Sequence, residues 1–142
     1  MKNILVVSCF ALVSLGVSCQ NNDDITPSDA KDCEEIAVQK DLDLLTTDPF
    51  HIDTAYVENN CLKLKVNYGG GCGNVSFKMY RNTVVFESYP PQTMIKLTLD
   101  DKDGCKALIY KDLSYSLAEI KQQIGKPVLL RLENYKHFVL YE

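Results

Sequence analysis

A glycine-rich run, Tyr68–Gly73, surrounds one cysteine, Cys72. Backbone amides in such a run can form an oxyanion hole, and a thiol can act as a nucleophile when a base such as His51 or His137 takes its proton. The run lacks the Gly-Lys-Ser/Thr ending with which a phosphate loop holds the outer phosphates and a magnesium ion. In an oxidising compartment the thiol is consumed by a disulfide. We therefore predict a structural turn here and no catalytic residue.

The segment Asp100–Gly104 is an acidic turn with carboxylates at Asp100, Asp101 and Asp103. Calcium is bound by several closely spaced oxygens and a glycine that allows the bend, so these three residues are weak calcium candidates. The segment lacks the glutamate that ends a helix-loop-helix calcium loop. We predict a solvated hairpin turn and assign no metal.

His51 and His137 are the two histidines of the chain, and tyrosine is its most frequent aromatic residue. Two imidazoles can meet in the fold, but alone they do not complete a metal site. Tyrosine rings can line a groove for a sugar or a peptide, or they can cover the edge of a small core. The tyrosines considered for such a groove are Tyr80, Tyr89, Tyr110, Tyr115, Tyr135 and Tyr141.

Residues 1–18 are predicted to be a secretory signal peptide. A basic start is followed by the apolar run Ile4–Val17, which is shorter than the roughly 20 apolar residues that span a bilayer. The ending Leu15–Cys19 resembles a bacterial lipobox, in which the cysteine sulfur is acylated and the preceding bond is cut. The alternative is an ordinary signal peptide cleaved near a cysteine that later forms a disulfide.

Acylation of Cys19 would anchor the mature chain, because two or more acyl chains hold a protein stably at a membrane. Residues 19–32 are polar and acidic and include Pro27. They are predicted to form a flexible tether with a reach of roughly 20 Å. We predict an outer-membrane protein that contacts the membrane through the lipid on Cys19 and needs no other cofactor.

Four cysteines follow the anchor cysteine: Cys33, Cys61, Cys72 and Cys105. Export places them in an oxidising compartment, where an even number predicts disulfides. Four cysteines allow three pairings and the sequence does not decide among them. We favour Cys72–Cys105 together with Cys33–Cys61, which would tie down the N-terminal segment just ahead of a strand. Zinc is disfavoured because no pair has the short spacing of a zinc knuckle.

The predicted domain, residues 33–142, is long enough to bury a core, and its dominant signal is alternation of apolar and polar residues. The alternating runs are Leu62–Tyr68, Val75–Met79, Thr93–Asp100, Val128–Glu133 and His137–Tyr141. Turn signals lie at Asn59-Asn60, Gly69–Gly73, Arg81-Asn82, Pro90-Pro91, Asp103-Gly104 and Glu133-Asn134. Six to eight short strands predict a mainly β domain, an antiparallel β-sandwich or a barrel-like fold, with one short helix.

The single predicted helix begins at a capping box formed by Ser116 and Glu119. Gly125 occupies the position of a left-handed C-terminal cap, and Pro127 blocks continuation. A helix of about eight residues is not stable alone in water, so it must pack on the sheets. The segment Glu34–Leu45 fits either a helix or an extended start.

The lipobox and the segments Leu62–Cys72, Glu87–Gln92 and Gly104–Leu108 resemble an uncharacterised family of small lipoproteins from Bacteroidota. The resemblance covers most of the mature domain. The acidic pair Asp23-Asp24 after the lipobox cysteine looks like the surface-export signal of Bacteroidota lipoproteins, which implies display on the cell exterior. The family has no established activity, so the resemblance implies a location and a compact domain but no mechanism.

The formal net charge is −4 and the chain has no basic run, so it gains nothing from counterion release on a phosphate backbone and we predict no nucleic-acid partner. We predict a non-enzymatic, surface-displayed β-domain that binds a partner or assists an envelope assembly. The partner would be an envelope protein, a peptide or a glycan. The alternative is an envelope enzyme or enzyme inhibitor that uses the Gly69–Gly73 turn or the Asp100–Asp103 turn.

Overall fold

The structure is a computed structural model that describes residues 33–142. The predictions for the signal peptide, for Cys19 and for the tether therefore lie outside the described residues. The strands form a sheet of five and a sheet of three that pack face to face. The described part of the chain is mainly β with one short helix, which confirms the predicted fold class in its sandwich form.

The elements, in chain order, are β1 (Ala37–Gln39), β2 (Phe50–Glu58), β3 (Cys61–Gly70), β4 (Val75–Phe86), β5 (Gln92–Asp101), β6 (Ala107–Ser116), α1 (Ala118–Gln123), β7 (Val128–Leu132) and β8 (Phe138–Tyr141). The larger sheet has the order β1-β4-β5-β7-β8 and the smaller sheet the order β2-β3-β6. Within residues 33–142, no helix has the length and hydropathy that crossing a membrane requires.

Alternation along the strands decides which side chains face the core. In β3, Leu62, Leu64 and Val66 are at most 2% exposed, whereas Lys65 between them is exposed. In β5, Ile95 on the opposite inner face is fully buried. Burying each such side chain stabilises the fold by about 1.5–3 kcal/mol relative to leaving it in water. The core therefore lies between the two sheets.

Most strand pairs are antiparallel, as expected, but two are parallel: β1 with β4 and β5 with β7. Parallel neighbours require a crossover connection rather than a tight turn. Here the chain leaves β5, forms β6 in the smaller sheet and passes through α1 before it reaches β7. Alternation of side chains carries no information about strand direction, so the sequence pattern did not predict these two pairs.

The N-terminal segment links the two sheets. The N–H of Glu34 donates to the carbonyl of Ser114 at 2.8 Å, and its own carbonyl accepts from the N–H of Ser116 at 2.7 Å, so it joins the smaller sheet. Three residues later β1 pairs with β4 in the larger sheet. The Cys33–Cys61 disulfide fixes the start of this segment to the first residue of β3. Of the two alternatives for Glu34–Leu45, the extended start is the one observed.

The turn predicted at Arg81-Asn82 is wrong. Strand β4 continues through it to Phe86, with an irregular register against β5 between Arg81 and Val85. Arg81 is only 3% exposed and its guanidinium meets α1. A long basic side chain occupies a core position here because residues of the helix pair with its guanidinium, which the simple rule that polar pairs mark turns did not anticipate.

Helix α1 is present, but the predicted capping box is wrong. The hydroxyl of Ser116 accepts a 3.3 Å hydrogen bond from the N–H two residues ahead. The carboxylate of Glu119 does not return to the helix start, because it accepts from Arg81 Nη2 at 3.0 Å and from the Gln123 amide at 2.7 Å. With the guanidinium the carboxylate forms an ion pair as well as a hydrogen bond, which a backbone N–H at the helix start does not offer. Gly125, at φ +89°, ends the helix as predicted.

We predict that Glu119→Ala lowers the free energy of unfolding by about 2 kcal/mol, because it removes the anion beside the buried guanidinium of Arg81. Urea titration of the purified chain, followed by circular dichroism, measures the loss. Glu87→Ala removes an exposed loop carboxylate and is the control, expected to change stability by less than about 0.5 kcal/mol. Equal losses in the two variants would contradict a stabilising role for this ion pair.

Candidate functional site

The glycine-cysteine turn between β3 and β4 is covalently tied to the loop between β5 and β6. Cys72 and Cys105 form a disulfide, and Cys33 with Cys61 forms the second. This is the pairing favoured from the sequence. The sulfur of Cys72 is bonded and is not available as a nucleophile. In this oxidised form the turn offers no free thiol.

The backbone amides of the same turn hold a carboxylate of the protein itself. Oδ2 of Asp103 accepts from the N–H groups of Gly71, Cys72 and Gly73 at 2.7, 2.8 and 2.7 Å. Oδ1 accepts from the N–H of Cys105 at 2.8 Å. Successive amides that point into one concavity form an anion-binding nest. The donors that an oxyanion hole would need are thus already occupied.

These N–H groups favour the ionised carboxylate. They lower the pKa of Asp103 below its usual 3.8, and the N–H of Cys105 is the largest cause, followed by that of Cys72. The other carboxylates of the acidic turn have separate contacts: Asp101 accepts from the N–H of Asp103 at 2.7 Å, and Asp100 lies 3.5 Å from the ammonium of Lys102. A calcium site needs carboxylate oxygens directed at one point, and this turn directs them at N–H donors and at a lysine instead.

The close approach of Asp103 explains one glycine of the turn. A Cβ on Gly73 would lie 2.8 Å from the Cα and Cβ of Asp103, which is too close for any side chain. Gly71 has φ +118°, a backbone conformation that favours glycine. Gly69 has open space at its Cβ position and is not required by packing.

Both histidines lie in one groove at the side of the sandwich, where β2 passes the turn between β7 and β8. The groove has a volume of about 310 Å³. The rings of Tyr135 and His137 meet edge to face with centroids 5.7 Å apart, and the Tyr135 hydroxyl accepts from the N–H of Ala55 at 3.2 Å. The groove is lined by His51, Ile52, Asp53, Asn134, Tyr135, Lys136 and His137.

A β-bulge places Asp53 at the rim of this groove. The register of β2 against β3 shifts between Ile52 and Thr54, so Asp53 is the extra residue. Its Oδ1 accepts from the Asn67 amide at 2.7 Å and lies 3.8 Å from Nε2 of His51. Bulges re-aim side chains and are frequent beside functional sites. Here the bulge brings a carboxylate next to an imidazole.

The groove offers hydrogen bonds and charge. Within residues 33–142, the only three potential metal-ligand atoms that lie within 4.8 Å of one another are at the Asp103 turn, and two of them belong to bonded cysteines. His51 and Asp53 lie within that distance of each other, but the two of them and His137 do not all lie within it, so the three do not form a metal centre as placed. Together with the ammonium of Lys136 they can bind a polar or charged group.

The tyrosines do not line one groove. Tyr115 and Tyr141 are at most 1% exposed and belong to the core, whereas Tyr89 is 95% exposed in the loop between β4 and β5. The remaining three are on different surfaces, with Tyr110 on the outer strand β6, Tyr80 on β4 of the other sheet and Tyr135 in the histidine groove.

A second hollow lies on the larger sheet. It has a volume of about 330 Å³ and lies beside β4 and β5, with the segment before β2 forming one wall. Its polar lining includes Lys78, Tyr80 and Asp100. It has no convergence of residues comparable to that in the groove at the Asp53 bulge, which both histidines line and where His51 lies 3.8 Å from the re-aimed carboxylate.

Sequence reasoning missed Asp53 and Lys136 as groove residues. One signal was present, because the apolar residues of β2 change phase: Ile52 faces inward, and Ala55 three positions later is the next to pack on the core. Such a change of phase within a strand indicates a bulge. For Lys136, no local sequence pattern indicates whether a lysine in this turn lines a groove or points into solvent.

Comparison with known proteins shows a fold and no family. No family model matches the chain, and no curated protein matches it. The fold is similar to that of a protein of unknown function, DUF1344, from Bacteroides vulgatus, with a TM-score of 0.55 and 9% identity over 78% of this chain and 56% of that one. It is also similar to a NigD-like immunity protein from Bacteroides caccae, with a TM-score of 0.57 and 17% identity over 70% of this chain and 51% of that one. The chain thus spans about half the length of each neighbour, and these identities show a shared fold alone.

We predict that the amide signals of Gly71, Cys72 and Gly73 shift together as Asp103 is protonated, with a midpoint below 3.8. Because its folded pKa is lowered, the stabilisation is fully present above the ordinary value and is lost as the pH falls through the lowered pKa. ¹H–¹⁵N spectra between about pH 2 and pH 6 measure the transition. Asp103→Asn should abolish this transition, and Asp100→Asn should leave the transition unchanged. A midpoint at or above the ordinary value would contradict the nest.

Proposed function

We propose that this chain is an exported lipoprotein, anchored through Cys19 in the outer membrane and facing the cell exterior, whose β-domain acts by binding a partner protein. The location rests on the lipobox and on the acidic residues that follow it. The binding role rests on one structural observation, the groove that both histidines line together with the re-aimed carboxylate of Asp53.

Binding is favoured over catalysis because the potentially reactive groups of the described domain are held in contacts within the fold. Cys72 is in a disulfide, and the amides around it hold Asp103. The buried charges Arg81 and Lys96 are paired with glutamates of the fold. These contacts assign structural roles to groups that an enzyme would need to keep reactive.

Protection against a toxic protein is one form that such binding can take. The fold neighbour from Bacteroides caccae is named a NigD-like immunity protein, and a domain displayed outside the cell would meet a toxic protein before it enters. We place this role second, because the similarity extends to the fold alone, whereas the groove is a feature of this chain.

We predict that Cys19→Ser moves the protein out of the membrane fraction, because no other part of the proposed mature chain is expected to anchor it. Immunoblotting of fractionated cells measures the distribution, and protease treatment of intact cells tests exposure on the exterior. Ser18→Ala, which keeps a small residue before the cysteine, is the control and should stay in the membrane fraction. Unchanged membrane retention of Cys19→Ser would refute the anchor.

We predict that a photo-crosslinker placed in the groove captures a partner in living cells. p-Benzoylphenylalanine at His137 should give a discrete crosslinked species after irradiation, detected by immunoblot and identified by mass spectrometry. The same reagent at Tyr89, which is 95% exposed in the loop between β4 and β5, should give none. Equal products at both positions, or none at either, would reject the groove as the binding site.

A further inference from the structure

Positive charge gathers around the histidine groove, although the chain has a formal net charge of −4. Lys136 and both histidines line the groove. Arg131 lines an adjoining hollow of about 150 Å³, which shares Tyr135, Lys136 and His137 with the groove. The two hollows therefore form one continuous surface with two permanent cations and two imidazoles.

Of the two acidic groups nearby, Glu133, in the turn beside the groove, pairs with the buried ammonium of Lys96 at 3.0 Å. Asp53 accepts a hydrogen bond from the neutral Asn67 amide and keeps its charge, so the positive end of this surface is at Arg131 and Lys136. Among residues 33–142, no ion pair includes Arg131 or Lys136. The guanidinium of Arg131 lies over the ring of Phe138, 5.4 Å from its centroid, which orients it without neutralising its charge.

The edges of two strands border this surface. β2 and β8 are the outermost strands of their sheets. An edge strand presents backbone N–H and C=O groups with which an extended peptide can pair. The N–H of Ala55 in β2 is taken by the Tyr135 hydroxyl, so the edge of β2 is closed at this point and the edge of β8 is the one that a peptide can use. Side-chain cations beside a strand edge match an extended acidic chain better than a single small anion.

We propose that this groove binds an extended acidic segment of the partner protein, with Arg131 and Lys136 as the main contacts to its carboxylates. The imidazoles of His51 and His137 add hydrogen bonds, and the edge of β8 pairs with the segment's backbone. This inference rests on the proposed binding function, and it adds the chemistry of the partner.

The first test uses the crosslinking of the full chain in cells. Arg131→Glu combined with Lys136→Glu should reduce the product formed from position 137 by about tenfold, because each reversed charge repels the acidic segment. Lys40→Glu combined with Lys106→Glu changes the net charge equally at exposed positions outside the groove and should leave the yield unchanged. If the wild-type chain gives a product that both double variants retain, the acidic partner is refuted while the binding function stands. If the wild-type chain gives no product, the binding function itself fails.

The second test measures direct binding by the purified full chain in detergent. Fluorescence anisotropy should show that labelled hexaglutamate binds and that hexalysine does not. Neutralising the cations with Arg131→Gln and Lys136→Gln should weaken hexaglutamate binding by about fivefold, and unchanged thermal midpoints would show that the variants fold. Inorganic phosphate is the competitor. The peptide site is refuted if phosphate binds as tightly as hexaglutamate. It is also refuted if the variant with both cations neutralised binds hexaglutamate as tightly as the wild-type chain does.

Discussion

The inner faces of a five-stranded sheet and a three-stranded sheet meet across a layer of apolar side chains, and the positions of all other features follow from that contact. Leu62 and Val66 from the smaller sheet and Ile95 and Leu130 from the larger one are fully buried in it. The two sheets have unequal widths, so one cannot cover the other completely. The groove lies at one of the margins that this leaves, between the edge strands β2 and β8.

These margins are closed in different ways. On one side the N-terminal segment passes from β6 to β4, so that backbone hydrogen bonds link the sheets. Above the core, α1 is held by Arg81, whose guanidinium the sheet supplies from its inner face. On the side of β2 and β8 the contact is made by side chains, chiefly the Tyr135 hydroxyl on the N–H of Ala55. A groove remains there because side chains leave more space between two strands than a hydrogen-bonded ladder does.

The sequence was informative where one local rule dominates. Alternation located β3 and β5, and Asn59-Asn60 marked a hairpin turn whose residues have φ of 50° and 58°. Prediction from the sequence failed where the structure of a segment depends on a residue that is distant in the chain. Arg81 resembled a turn residue because its partners Glu119 and Gln123 are about forty positions away. The groove was not predicted for the same reason: Asp53 and His137 line it together because β2 of one sheet lies beside β8 of the other, and no local pattern encodes that approach.

The Cys33–Cys61 bridge also determines how the domain would respond to mechanical load. A pull on the N-terminus enters the described domain at Cys33, and the bridge passes the force to the first residue of β3, the central strand of the smaller sheet. Without the bridge, the same pull would act first on the two hydrogen bonds of Glu34 with β6 and then on the three-residue strand β1. With it, the force reaches β3, which is hydrogen-bonded to a neighbour on each side. A domain held to a surface by its N-terminus would thus resist being peeled open by flow or by a bound partner that moves away.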